Sequence, residues 1–263
     1  MIVKIILKYI RKAMKRKKCV IVSLLGILVF WGALDLYPGA DETAAAVIKK
    51  SDYVLYGDST EADIEIKTFR DNVLKKTTAM AAKLKGSEQM IMVFTHPPRN
   101  KNNALLKNGD NLWMYYLQRK KFLRIGARQL MGGSDFCYGD ILDVNLARDY
   151  TAAIVESNVD LEGQVCYKLE LIAKRKNVTY DRIVCYVRKK DFAPIKREFY
   201  TKSGQLFKEM IFQDFNGARP MKFLMRNKLI NTLEYSIMEF SNLKLNVSLD
   251  DRIFTKNYLL RGR

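Results

Sequence analysis

Hydrophobic and polar residues alternate along most of this 263-residue chain with the period of two that a β-strand requires. From Ala62 to Thr68, Ile64 and Ile66 fall on one face and Asp63, Glu65 and Lys67 on the other. Comparable patterns predict strands at Thr77–Lys85, Glu88–Thr95, Asn111–Leu117, Lys121–Ile125, Tyr150–Glu156, Val165–Ala173, Arg182–Arg188, Pro194–Tyr200, Leu206–Phe215, Pro220–Leu229 and Asn231–Leu243. Turn residues such as Ser203-Gly204 and Asn216-Gly217 separate them. The connections are too short for crossover helices, which predicts one large antiparallel meander. Two helices interrupt it. One begins between Glu42 and Lys50 and extends through Asp52–Leu55; the other lies between Ser134 and Arg148, where Asp140, Asp143 and Ala147 interleave with Ile141, Leu142, Val144 and Leu146. Ser134 or Asp135 is its expected N-cap, with Gly132 and Gly133 allowing the tight entry.

The stretch from Asn108 to Asp140 breaks the one-sided pattern. After the Gly109-Asp110-Asn111 turn, Leu112, Met114 and Tyr116 point to one side and Trp113, Tyr115 and Leu117 to the other. A strand apolar on both faces needs either a second layer or an apolar cavity.

Several short motifs recur in order from about residue 45 to the C-terminus: Gly109-Asp110-Asn111-Leu112-Trp113-Met114-Tyr115, then Met131-Gly132-Gly133-Ser134-Asp135-Phe136 with Tyr138 and Asp140, and Asp149-Tyr150-Thr151. Cys166-Tyr167-Lys168-Leu169-Glu170-Leu171, Glu198-Phe199-Tyr200 with Gly204-Gln205-Leu206, and Phe254-Thr255 follow. As a set they resemble the outer-membrane lipoprotein-sorting protein family, relatives of the periplasmic lipoprotein carrier LolA. The resemblance implies a mainly β (α+β) fold: an incomplete, strongly curved antiparallel β-barrel with helices covering the open side, as in LolA and LolB. Small barrels of this kind hold apolar ligands among inward side chains. Read as residues alone, Trp113, Tyr115, Phe136, Tyr138, Tyr167 and Leu169 either fill a core, the leading reading, or line a lipid cavity; the resemblance strengthens the reading that they line a lipid cavity. The sequence departs from the family pattern at Pro97-Pro98-Arg99-Asn100-Lys101-Asn102-Asn103, where a Pro-x-Asp-x-Gly-Thr stretch is common, and after Tyr115, where a proline is replaced by Tyr116-Leu117-Gln118-Arg119-Lys120-Lys121. Both departures alter the shape and charge expected at a cavity mouth.

Composition refines the compartment. The apolar fraction of 48% and aromatic fraction of 11% suffice for a sizeable core. The formal charge of +18 invites a nucleic-acid reading. Much of it, however, lies in Lys4, Lys8, Arg11, Lys12 and the Lys15-Arg16-Lys17-Lys18 run, before the uncharged segment Cys19–Leu34. A basic region, a short apolar run and the small residues near Ala40 are the layout of an export signal. The segment is either cleaved near Ala40 or retained as an inner-membrane anchor over residues 19–34, and translation starts at Met1 or Met14. The expected organisation is therefore residues 1–40 as signal or anchor and 41–263 as the folded domain, in the periplasm. The remaining clusters, such as Lys174-Arg175-Lys176 and Arg188-Lys189-Lys190, sit in no nucleic-acid-binding frame. They form a solvated face or attract an anionic membrane surface.

Candidate chemistry is sparse. His96 is the sole histidine, no His-Glu-x-x-His or cysteine-histidine frame offers a metal site, and Gly132-Gly133-Ser134-Asp135 lacks the Gly-x-Ser-x-Gly elbow. No cofactor is expected. Cys166 and Cys185 flank the basic turn nearly symmetrically, so hairpin pairing either sets them opposite for a disulfide or leaves buried free thiols. The sequence thus predicts a non-enzymatic carrier of lipoprotein acyl chains or other lipid, working with an envelope transporter or an outer-membrane acceptor. The alternative is a membrane-anchored envelope sensor or accessory subunit of a lipid or efflux transporter.

Overall fold

The computed structural model describes residues 42–142, 145–176, 178–229 and 233–262. The expected signal or anchor, the cleavage position near Ala40 and the choice of start lie outside these residues. Residues Thr43–Arg263 form one compact unit. Among the described residues, no helix is long and apolar enough to cross a membrane.

Helix α1 (Ala44–Tyr56) opens the folded part. The Thr43 side chain caps it by accepting from the Ala46 N–H, and Gly57, with φ of 56°, ends it by donating its own N–H to the Tyr53 carbonyl. Thirteen strands follow: β1 (Ser59–Arg70), β2 (Val73–Lys85), β3 (Gln89–His96), β4 (Ala104–Asn108), β5 (Asn111–Tyr116), β6 (Lys121–Arg124), β7 (Tyr150–Leu161), β8 (Gln164–Ala173), β9 (Arg182–Arg188), β10 (Pro194–Tyr200), β11 (Leu206–Asn216), β12 (Arg219–Asn227) and β13 (Tyr235–Leu245). Two consecutive meanders, β1 to β6 and β7 to β13, join through antiparallel pairing of β1 with β13. This leaves β6 and β7 as the two edges, so the sheet curves without closing. The long connection between those edges carries α2 (Tyr138–Leu142) and α3 (Leu146–Asp149). A final helix, α4 (Lys256–Arg261), ends the chain.

The inward positions alternate as the pattern requires. Met80, Ala82 and Leu84 of β2 are buried beside exposed Ala81, Lys83 and Lys85, and they join Ile64 and Ile66 of β1 in the core on the concave side. Helix α1 adds Val47 and Ile48, and α2 and α3 add Ile141, Leu142 and Leu146. Each such fully buried aliphatic side chain contributes roughly 1.5–3 kcal/mol.

Several expectations are corrected. Strand β4 was absent from the pattern; it is buried on both faces, with Leu105 facing the main core and Ala104 and Leu106 facing a second, outer cluster. The helix expected between Ser134 and Arg148 is represented by the short α2 and α3, and Asn145, not Ser134 or Asp135, caps α3 by accepting from the Arg148 N–H. The Ser134 hydroxyl donates to the Met131 carbonyl (2.7 Å), and Asp135 is gripped by Arg70 (2.9 and 3.1 Å) and by the Ser236 hydroxyl (2.6 Å). The glycine turn is thus a strap to β1 and β13. Cys166 and Cys185 are buried free thiols. The β8–β9 register pairs Cys166 with Arg188 and Leu169 with Cys185, which separates the sulfurs along the hairpin and rules out a disulfide.

Candidate functional site

Alternation on β12 and β13 builds the wall of an apolar groove. Arg219, Met221 and Phe223 occupy successive inward positions of β12, and Met238 and Phe240 those of β13. Ala62 and Ile64 of β1, Leu84 of β2 and Met92 of β3 extend the same wall. Leu55 and Tyr56, at the end of α1, with Asp140 and Ile141 of α2, form the opposite side. The Phe223 and Phe240 rings pack at 4.9 Å between centroids. The groove is narrow, with room for about 50 Å³ of water-sized occupants. Its walls are nevertheless yielding, because methionine side chains rotate at low cost and adapt to irregular apolar shapes.

Its polar atoms are few and placed at the two ends. At the inner end the carboxylate of Asp140 accepts from the Cys137 N–H (2.6 Å); burial pushes its pKa up, opposed by Lys208. Lys208, itself buried, donates to the Asp135 carbonyl (2.7 Å). At the outer end, where β1 and β12 begin, Arg219 donates weakly to the Thr60 hydroxyl (3.4 Å). A Cβ placed on Gly57 would come within 3.2 Å of the Arg219 guanidinium, so the cation rests against the C-terminal end of α1. Burial pushes the pKa of Arg219 down, and Tyr53 and Tyr56 offset this only in part.

Helix α1 is held over the sheet by a buried polar contact. Asp52 accepts from the Ala147 N–H of α3 (3.1 Å) and faces Arg197 of β10 at 3.8 Å. Burial dominates its titration and raises its pKa to about 6, with Arg197 opposing. Its other oxygen has no hydrogen-bond partner.

A larger hollow of about 550 Å³ lies beside the open edge, lined by Leu112, Ile125 and Val178 but also by Asp110, Asp149 and Arg175. These charges are committed to one another. Arg175 pairs with Asp110 and with Asp149 (3.1 Å), and Arg148 reaches Glu88 (3.0 Å), which ties the β4–β5 turn to the β8–β9 turn across the gap. This hollow is an ionic seam, whereas the groove is an apolar slot.

The six residues singled out from sequence do not come together. Trp113 and Tyr115 lie on the outer face, where Phe254 and Leu259 of the C-terminal segment cover them, and Lys256 sits 4.2 Å from the Trp113 ring. That segment is the second layer the two-sided strand required. Phe136, Tyr138, Tyr167 and Leu169 belong to the concave core, and none of the six lines the groove. The signal for the groove was methionine at inward strand positions, Met92, Met221 and Met238, which aromatic content alone did not reveal. Among the described residues no group of His, Cys, Asp and Glu is arranged to hold a metal ion.

Comparisons with known proteins agree with this geometry. A family model described as that of an uncharacterized protein matches residues 86–261. No curated protein matches in sequence. Among solved structures, a LolA superfamily protein from Nitrosomonas europaea is 28% identical, with 82% of this chain and 99% of that one covered at a TM-score of 0.73. A structure described as an outer membrane lipoprotein-sorting protein domain from Vibrio parahaemolyticus is 22% identical, covering 83% of this chain and 98% of that one at 0.72. A DUF1329 family protein from Desulfovibrio piger, 19% identical, covers 82% and 97% at 0.71. With its open antiparallel barrel, its helices on the concave side and these matches along most of its length, the chain belongs to the LolA-like family.

Proposed function

We propose that this protein is a non-enzymatic carrier that shelters the acyl chains of a lipoprotein or another lipid as they cross the periplasm. The observation that carries this reading is the apolar groove between α1 and the inward faces of β1, β12 and β13, lined by adaptable methionines and closed by a helix rather than by more sheet. Each methylene removed from water contributes roughly 0.8 kcal/mol, so ten of them contribute roughly 8 kcal/mol, enough to exceed a cost of a few kcal/mol for parting α1 from the sheet. The LolA superfamily name of the Nitrosomonas protein supports the same ligand class. The Ser134 hydroxyl is engaged by a backbone carbonyl, which fits a role without nucleophilic chemistry.

The test is direct. Delipidated protein is titrated with the methyl ester of cis-parinaric acid, an uncharged fluorescent acyl chain, and binding is compared with a Met238→Trp variant that fills the groove. Saturable binding lost in the variant is expected. Absence of binding, or binding indifferent to the filled groove, overturns the proposal.

One surface feature favours a membrane-associated form of this function. At the end of the sheet opposite the groove mouth, Val73, Leu74, Leu229 and Leu233 are 40–53% exposed. The β1–β2 and β12–β13 connections meet there through the Asn72 N–H and the Leu233 carbonyl (3.4 Å). Exposed Lys75 follows Val73 and Leu74 on β2, and at the same end of the sheet exposed Arg99, Lys101 and Lys120 lie in the β3–β4 and β5–β6 turns and exposed Lys121 opens β6. Exposed leucines at an end that also carries cationic turns suit an anionic membrane surface, and docking by this end turns the groove mouth towards the aqueous side.

A further inference from the structure

We infer that Arg219 binds the anionic head of the groove's ligand, so that the ligand is an acyl amphiphile ending in a carboxylate or a phosphate. The inference rests on the carrier reading and specifies it. Arg219 opens β12 on the same face as Met221 and Phe223, which places its guanidinium at the mouth and the apolar slot directly behind it. Guanidinium groups at partly buried positions are ordinarily paired with carboxylates, because an unpaired charge withdrawn from water is costly. This protein follows that habit elsewhere: Arg70 holds Asp135, Arg188 holds Asp191, and Arg182 holds Glu170. Arg219 has no such partner among the described residues. Its contacts are the Thr60 hydroxyl and the end of α1, while Asp58, just beyond that helix, is taken by the Tyr53 hydroxyl (3.1 Å).

The bland account is that Arg219 complements the negative end of the α1 dipole. That interaction is a partial charge on carbonyls and leaves most of the fork of N–H donors unused. Burial lowers the pKa of Arg219, opposed by Tyr53 and Tyr56. A carboxylate or phosphate at this point completes the fork with charge-assisted hydrogen bonds, while the attached chain enters between Phe223, Met238 and Leu84.

The experiment compares cis-parinaric acid with its methyl ester on the unmodified protein, then on Arg219→Gln and Arg219→Lys. The acid is expected to bind roughly tenfold or more tightly than the ester. Arg219→Gln should remove that preference while leaving ester affinity within about twofold, and Arg219→Lys should retain part of it. Competition by a lysophosphatidic acid against a neutral monoacylglycerol separates a phosphate preference from a carboxylate one. Equal affinity of the unmodified protein for acid and ester overturns the inference and leaves the carrier reading standing, and this comparison does not depend on any variant folding. A fall in both affinities together in Arg219→Gln overturns it in favour of a structural role. If neither probe binds, the carrier reading and the inference fail together.

Discussion

Replacing Asp52 with Asn tests how α1 is held over the groove. Asp52 is buried, and its pKa rises from 3.8 to about 6 because burial outweighs the attraction of Arg197. A shift of about two units corresponds to a cost on the order of 3 kcal/mol for keeping the carboxylate ionised in the folded chain. The sign follows from the two states. Below about pH 4 Asp52 is protonated whether folded or unfolded, and the cost is absent. Between about pH 4 and 6 the folded chain retains a proton that the unfolded chain has released, so stability falls by about 1.4 kcal/mol per pH unit. Above the folded pKa the loss is complete and no longer changes. Asn is neutral throughout, and its side-chain oxygen can accept from Ala147 as the carboxylate does. Neutral Asp and Asn leave Arg197 equally unpaired, so the two proteins should match in stability near pH 4 and diverge in favour of Asn by neutral pH. Asp140 shifts in the same direction through burial, whereas Asp149 and Glu209 are held below their usual values by their cationic partners. Only the difference between variant and parent isolates Asp52. Urea unfolding from pH 4 to 8 measures it, and parallel pH profiles for the two proteins would refute the argument.

The other expectations concern separate parts of the molecule. Trp113→Ala and Tyr115→Ala should lower stability by roughly 3–5 kcal/mol while leaving acyl-probe affinity unchanged, because both rings pack under the C-terminal segment; weakened probe binding without destabilisation would return them to the site. Tyr115→Phe should be nearly neutral or stabilising in thermal melts, since the buried hydroxyl has no hydrogen-bond partner, and a loss above about 2 kcal/mol would contradict that. The protein should sediment with vesicles containing anionic lipid, less so in high salt and less so as Lys75→Glu/Lys101→Glu; equal binding to neutral vesicles would dismiss the charged end as a docking surface.

Local pattern carried the fold further than it carried the site. Strands such as β1 and β2 were legible because one face meets the core and the other meets water, so composition alternates with the pleat. Strand β4 was not, since burial on both faces erases the alternation and leaves a short Ala-Leu-Leu run whose Lys107, though buried, donates to the Ser87 carbonyl. The two-sided strand β5 was read as needing either a second layer or an apolar cavity, and sequence could not say that one face meets the main core and the other the distant residues Phe254 and Leu259. Pairing Cys166 with Cys185 required a register, and the register depends on how the turn between them is closed.

The groove was hardest to foresee because its wall and the core are the same strands. Met225 and Phe223 stand two residues apart on β12, one sealed in the core and the other on the groove. What separates them is the layer above: α1 runs over the sheet until Gly57 turns the chain away, and at that end its Leu55 and Tyr56, with Asp140 and Ile141 of α2, face Phe223 across the groove. The capping glycine thereby fixes where core ends and mouth begins, and it brings the end of α1 against Arg219. The end of one helix, set by a glycine with positive φ, therefore marks where this sheet face passes from sealed core to open groove.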